Sequence, residues 1–142
     1  MDIEWHQLES VVLLIRSGRI ATEMLEKEIA PLSISVPQLS ILISIADWGE
    51  MTASQLCEVT MRDKANMSSL TKKLEQAGLV QLKKNTSDAR SSILSLTPKG
   101  KKAAEFGIKA ESKVSKKLEK ISISQNFPRE YLVELAEKFN KI

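Results

Sequence analysis

The fold is decided by the stretch from Thr52 to Gly100. It reads TASQLCEVTMRDKANMSSLTKKLEQAGLV and continues QLKKNTSDARSSILSLTPKG. The first part has the pattern of two short helices. The second part has the pattern of a β-hairpin with a basic tip, followed by the start of another helix. A helix pair that leads into a charged hairpin is typical of a winged helix-turn-helix element, whose exposed face is suited to a phosphate backbone.

Capping signals divide this stretch into its elements. Thr52 and Gln55 have capping-box spacing, Asp63 can cap the next helix, and Gly78 is an end signal. We predict strands at 79–83 and 92–96, and a further helix capped by Thr97. The apolar positions expected to face the interior are Leu56, Cys57 and Val59 on the first helix, and Met67, Leu70, Leu74 and Ala77 on the second.

Amphipathic helices flank this stretch on both sides. Helical spacing of apolar residues predicts helices at 4–29, 37–48 and 98–121, and a last helix that begins at Pro128. The second of these is expected to bury Leu39, Leu42, Ile43 and Ala46. Long amphipathic helices outside a DNA-reading module need a partner surface, and a two-fold dimer is an economical solution. The fold class is therefore mainly α with a small β-hairpin wing. Residues 35–97 would form a winged helix-turn-helix domain, and residues 1–34 and 98–142 a helical dimerisation domain.

The basic charge of the chain is concentrated in one region. The 142 residues carry a net charge of +3, but residues 62–120 contain 15 Lys and Arg against 6 Asp and Glu, so this region has a charge of +9 and the remainder −6. Such an asymmetry indicates a polyanionic partner. For the lysines of 99–120 alone, an ordinary solvated helix face is the better interpretation.

The helix that begins after Asp63 presents a small and polar outer face. Small residues let the backbone approach the floor of a major groove. Asn66, Ser68 and Ser69 can donate to and accept from base edges, whereas Lys72 and Lys73 suit phosphates. Taken alone this face could equally be an ordinary solvated helix surface. Its position just before the basic hairpin favours DNA recognition.

The hairpin supplies a second set of candidate DNA contacts. Lys83 and Lys84 lead into its tip and Arg90 leaves it. Asp88 and Arg90 are two positions apart and share a face of an extended strand, so the carboxylate can orient the guanidinium before it enters a minor groove. As a surface ion pair this contact would contribute well under about 1 kcal/mol.

The segment 88–100, DARSSILSLTPKG, resembles the wing signature of the MarR (multiple antibiotic resistance regulator) family: Asp, any residue, Arg, an alternating strand, then Leu-Thr-any-any-Gly. Asp63-Lys64-Ala65 and 74–80 (LEQAGLV) resemble the recognition helix and following strand of that family, and the stretch 37–46 its second helix. The resemblance covers nearly the whole chain in order and length. It departs from the family at Ala89 and Lys83, where many members have arginine; both exchanges remove a forked donor.

This resemblance implies an obligate homodimer that binds a palindromic operator in duplex DNA, with an effector bound between the two domains that often alters DNA affinity. The expected function is a sequence-specific, cytoplasmic transcriptional regulator, most simply a repressor tuned by a small molecule. A winged-helix architectural or protein-interaction module without a specific operator is the alternative.

Other classes of function find little support in the residues. With His6 as the single histidine, neither a Ser-His-Asp arrangement nor a transition-metal site is expected, and we predict no enzyme activity and no cofactor. No run is long and apolar enough for a membrane span, and the polar N-terminus is unlike a secretory signal. Cys57 could be a redox switch, but burial as a small apolar residue is favoured. Trp5 and Trp48 could line an effector pocket, although packing on the core is the commoner role of tryptophan.

Overall fold

The computed structural model describes residues 9–84, 92–121 and 129–139. Its helices are α1 (Ser10–Ile29), α2 (Val36–Trp48), α3 (Ala53–Thr60), α4 (Lys64–Gln76), α5 (Pro98–Ile121) and α6 (Arg129–Phe139), with a 3₁₀ turn at Ala30–Leu32. Its strands are β1 (Met51–Thr52), β2 (Val80–Lys84) and β3 (Ser92–Leu96). The predicted start of the first helix at Glu4 lies outside the described residues; α1 begins at Ser10. The prediction of a mainly helical chain with a β-hairpin wing is confirmed.

The three strands form one antiparallel sheet in the order β1-β3-β2. The hairpin strands pair from Val80 opposite Leu96 to Lys84 opposite Ser92, close to the predicted strands. No pattern of residues predicted β1, because this strand has two residues, Met51 and Thr52, which pair with β3. This short strand joins the wing to the start of α3.

The capping signals are found where they were predicted. The Thr52 hydroxyl accepts a hydrogen bond from the backbone N–H of Gln55 at 3.3 Å, and the Asp63 carboxylate accepts one from that of Asn66 at 2.9 Å. Gly49 and Gly78 follow the ends of α2 and α4 with φ of 85° and 69°. Positive φ favours glycine, so these two positions stop their helices.

The winged-helix core joins α2, α3, α4, the sheet and the start of α5; its central residues include Leu42, Leu56, Leu74 and Leu94. A second cluster lies where Ile29 of α1, Leu39 of α2 and Ala110 of α5 meet. Three positions predicted to be buried are exposed, namely Ala46, Val59 and Ala77. Ala46 and Ala77 lie near or just beyond the ends of their helices, and the buried stripe of α4 passes through Thr71 instead. The Thr71 hydroxyl donates to the Met67 carbonyl at 2.9 Å, which satisfies it inside the core.

Helices α1 and α5 are joined by one carboxylate that serves two lysines. Glu28 accepts hydrogen bonds from Lys113 Nζ at 2.7 Å and Lys117 Nζ at 2.6 Å. These two contacts hold the pKa of Glu28 below its ordinary value of 4.5.

None of the described helices is by itself long and apolar enough to cross a membrane; α1 with the 3₁₀ turn and α2 meets those criteria only as a pair bent by 74°.

We expect Glu28 to make stability depend on pH in the acidic range. Because its pKa is lower in the folded chain than in the unfolded chain, the stabilisation is present above about pH 4.5 and is lost as pH falls through the folded-state pKa. Glu28→Gln should therefore flatten the acid limb of a plot of unfolding free energy against pH. The control is Glu26→Gln, an exposed carboxylate on the same helix. Parallel acid limbs for wild type and Glu28→Gln would contradict this role.

Candidate nucleic-acid interface

The outer face of α4 is exposed along its whole length. Met67, Thr71 and Leu74 anchor the helix in the core. The side chains that point away from this buried stripe are exposed and are small, basic or polar: Ala65, Ser68, Ser69, Lys72, Lys73 and Gln76. Five of the predicted contact residues, from Asn66 to Lys73, therefore share one accessible helix. The chemistry of this face suits base edges at its N-terminal half and phosphates at its C-terminal half.

Asn66 has a structural task that the sequence pattern did not reveal. Its side-chain amide donates to Asp63 Oδ2 at 2.5 Å, while its backbone N–H donates to Asp63 Oδ1 at 2.9 Å. Both hydrogen bonds lower the pKa of Asp63, and the one from the backbone N–H has the larger effect. One N–H of the Asn66 side-chain amide is thus used in the cap of α4, and its second N–H and its carbonyl oxygen remain for contacts outside the helix. Ser68 and Ser69 carry no comparable commitment.

Lys64, the first residue of α4, was not among the predicted contacts but is a further candidate by its position. It is exposed at the N-terminal end of the helix and borders a small cleft of about 330 Å³ between α3, α4 and the sheet. Ser54 and Ser68 line the same cleft, as does the partly buried Cys57. The signal that could have identified Lys64 is its place directly after the capping residue Asp63. Cys57 packs against the winged-helix core, which agrees with its expected role as a small apolar residue.

The predicted wing residues are only partly within the described chain. Lys83 lies on β2 and its Nζ contacts Glu50 Oε1 at 2.6 Å, with both side chains about half exposed. This ion pair ties the wing to the segment after α2, so Lys83 is not a freely extended cation. The side chain of Lys84 and all of Asp88 and Arg90 lie outside the described residues.

The start of α5 locks the end of α4 in place. The Thr97 hydroxyl donates to the Gly78 carbonyl at 2.7 Å and accepts from the Gly100 N–H at 3.0 Å. Lys99 Nζ donates to the Ala77 carbonyl at 2.8 Å. The Thr-Pro-Lys-Gly segment therefore satisfies carbonyls at the C-terminus of α4, and this fixes the angle between α4 and the long helix α5.

Comparison with known proteins identifies this arrangement. The MarR family model matches residues 34–92, which run from the residue before the α2 cap to the start of β3. Over these residues the chain is similar to the MarR family. A Bacillus subtilis relative, the organic hydroperoxide resistance transcriptional regulator, is 30% identical over 88 residues. The matched stretch is 62% of this chain and spans 60% of the length of that relative.

Solved structures of MarR-type proteins share the fold across nearly the whole chain. A cysteine-to-serine mutant of E. coli MarR complexed with operator DNA superposes with a TM-score of 0.80 at 21% identity, covering 96% of this chain and 99% of that one. Bordetella bronchiseptica BpsR, whose DNA binding is regulated by 6-hydroxynicotinic acid, gives a TM-score of 0.76 at 20% identity over 92% and 98% of the two chains. The Bacillus relative is named as a transcriptional regulator, and the E. coli neighbour was solved in complex with operator DNA.

Proposed function

We propose that this protein is a member of the MarR family and a cytoplasmic transcriptional regulator that binds operator DNA as a two-fold homodimer. In this proposal it acts as a repressor whose affinity is tuned by a small-molecule effector. The observation that carries the proposal is the exposed serine- and lysine-bearing face of α4 beside the wing, on a chain with the MarR fold. Ser68 and Ser69 would read base edges in the major groove. Lys72 and Lys73 would contact phosphates, and the wing would reach the adjacent minor groove or backbone.

The homodimer is supported by apolar surface that the single chain leaves uncovered. Of the 20 residues of α1, Ile29 is the one that is buried. Val11 and Ile15 are 62% and 68% exposed, and Tyr131 and Val133 on α6 are also exposed. Contiguous apolar faces on terminal helices indicate an interface, and a second copy is the partner that two-fold symmetry supplies. In this proposal residues 1–34 and 98–142 form the dimerisation domain, and residues 35–97 the DNA-binding domain.

A selection experiment tests the proposal directly. Genomic fragments retained by the purified protein would be sequenced, and the enriched site compared with random DNA in binding curves at physiological salt. We expect a palindrome whose half-sites lie about 34–36 Å apart and a preference of about 10³ or more over random DNA. Equal affinity for the two DNAs would support the architectural alternative. Binding to protein alone would contradict the proposal.

Arg90 provides a test of the wing. We expect Arg90→Ala to weaken binding to all sequences and to reduce the salt dependence of affinity, because it removes a cation close to phosphates. The measurement is the slope of log affinity against log salt concentration, with Arg19→Ala on α1, remote from the winged-helix core, as the control. An unchanged slope and affinity in Arg90→Ala would remove Arg90 from the contact set.

A further inference from the structure

A cleft between the wing and α5 shares a single lining residue, Lys83, with the predicted DNA contacts. It has a volume of about 690 Å³, within the usual range for a ligand site, and we name it the wing cleft. Its walls are the C-terminal end of α2 with the following loop, one face of the β2-β3 hairpin, and one face of α5. The α5 wall consists of Lys101, Glu105 and Ile108, whose spacing places them on one side of the helix.

The hairpin wall contains a buried hydroxyl without a partner. Ser95 is 6% exposed, and its Oγ makes no hydrogen bond among the described residues. Ser95 pairs directly with Gln81 across the hairpin, so the two side chains share the sheet face that borders the cleft. A buried hydroxyl without a partner costs free energy. Because Ser95 Oγ is itself closed off from solvent, a polar atom of a ligand would remove that cost only after the side chain rotates toward the cleft.

The charges of the cleft define what it can hold. Lys83 and Glu50 neutralise each other in their 2.6 Å ion pair. The other charged residues of the lining are the carboxylates Asp47 and Glu105 and the ammonium group of Lys101. The cleft therefore has a net charge of −1 before a ligand binds. A simple anion is disfavoured by this balance, and a simple cation would leave Lys101 unused. Ile45 and Ile108 add an apolar surface to the same cleft.

We propose that the wing cleft binds a small apolar α-amino acid. Its ammonium group would contact Asp47 and Glu105, its carboxylate Lys101, and its side chain the isoleucines. The cleft is built from both the wing and α5, so an occupant bridges these two elements and biases the angle between them. The wing cleft would then be the effector site, and an amino acid the effector. The regulatory part of this inference rests on the proposed function.

Direct binding in the absence of DNA tests the site. L-Leucine and L-phenylalanine would be titrated into the full-length protein by calorimetry. Isoamylamine and 4-methylpentanoate, which keep the leucine side chain but lack one charged group each, would be titrated in parallel. We expect at least one amino acid to bind, with leucine favoured over its two analogues by about tenfold or more. Failure of both amino acids to bind at millimolar concentration, or equal binding of all three leucine-type compounds, would overturn the site.

Substitutions of the charged residues of the cleft test which side chain contacts which charged group of the amino acid. Lys101→Met should abolish the preference for leucine over isoamylamine, and Glu105→Gln should reduce the preference over 4-methylpentanoate. The matched control Lys102→Met, on the adjacent exposed position outside the cleft, should leave both preferences unchanged. If Lys101→Met retains the wild-type preference, the site is wrong. A change of operator affinity on adding the amino acid tests the regulatory part, and operator binding by the ligand-free protein remains an independent test of the proposed function.

Discussion

Gly100→Ala is expected to lower the free energy of unfolding by about 3 kcal/mol or more. A Cβ atom at this position would lie 1.9 Å from the carbonyl oxygen of Leu79 and 2.9 Å from its carbonyl carbon. Both are backbone atoms, and the same oxygen accepts a hydrogen bond from the Thr97 N–H at 3.1 Å. The added methyl group can therefore be accommodated only by moving α5 away from the end of α4.

Two other helical glycines provide matched comparisons. At Gly107 the Cβ would meet Leu39 Cδ1 at 2.1 Å, and since a side chain can turn aside, we expect a smaller loss. At Gly18, in the middle of α1, nothing lies within 4 Å, and alanine should raise stability by about 0.5–1 kcal/mol through helix propensity. Urea denaturation at one protein concentration, followed by circular dichroism, gives the ranking. If Gly100→Ala were as stable as Gly107→Ala, the proposed contact with Leu79 would be incorrect.

If the exposed face of α4 binds DNA as proposed, reversing its two lysines, Lys72 and Lys73, should have the largest effect on DNA binding. We expect the double variant Lys72→Glu/Lys73→Glu to lose operator affinity by about 10³-fold at physiological salt. Two phosphate contacts are removed in each protomer, so the slope of log affinity against log salt should fall in magnitude by about 3 to 4 for the dimer. Both side chains are exposed, and the fold should tolerate the change.

The control for this variant carries the same change of net charge at another place. Lys109→Glu/Lys116→Glu reverses two exposed lysines of α5 that belong neither to the predicted DNA contacts nor to the lining of the wing cleft. If affinity depended on overall charge alone, the two double variants would lose operator binding equally. If α4 is the recognition helix, the α5 variant should keep most of its affinity. Size-exclusion chromatography would verify that both variants keep the oligomeric state of the wild type.

Local signals in the sequence were sufficient for the elements and for their ends. Caps such as Thr52 and Asp63 act within three residues, and Gly49 and Gly78 act through their own φ angles, so neither depends on distant contacts. The helical period also identified which face of α4 is accessible, because Met67 and Leu74 fix the buried side. The outer face of α4 and the strands of the wing were predictable from the sequence for this reason.

The roles of individual polar residues were decided by tertiary structure. Asn66 turns back to the Asp63 cap and Lys83 is held by Glu50, 33 positions away in the chain. Neither contact follows from the period of a helix or strand, since each depends on where a second side chain is placed. The wing residues Asp88 and Arg90 stay predictions, as does the division into domains.

The sequence alone determined that this chain forms a basic winged helix carried on amphipathic terminal helices, because charge, caps and apolar spacing are properties of neighbouring residues. Only the tertiary structure decided how the parts are joined. The close approach of Gly100 to Leu79, the pairing of β1 with β3 and the enclosure of Ser95 in the wing cleft all bring together segments distant in the chain. Such contacts depend on the packing of whole elements, which no local pattern specifies.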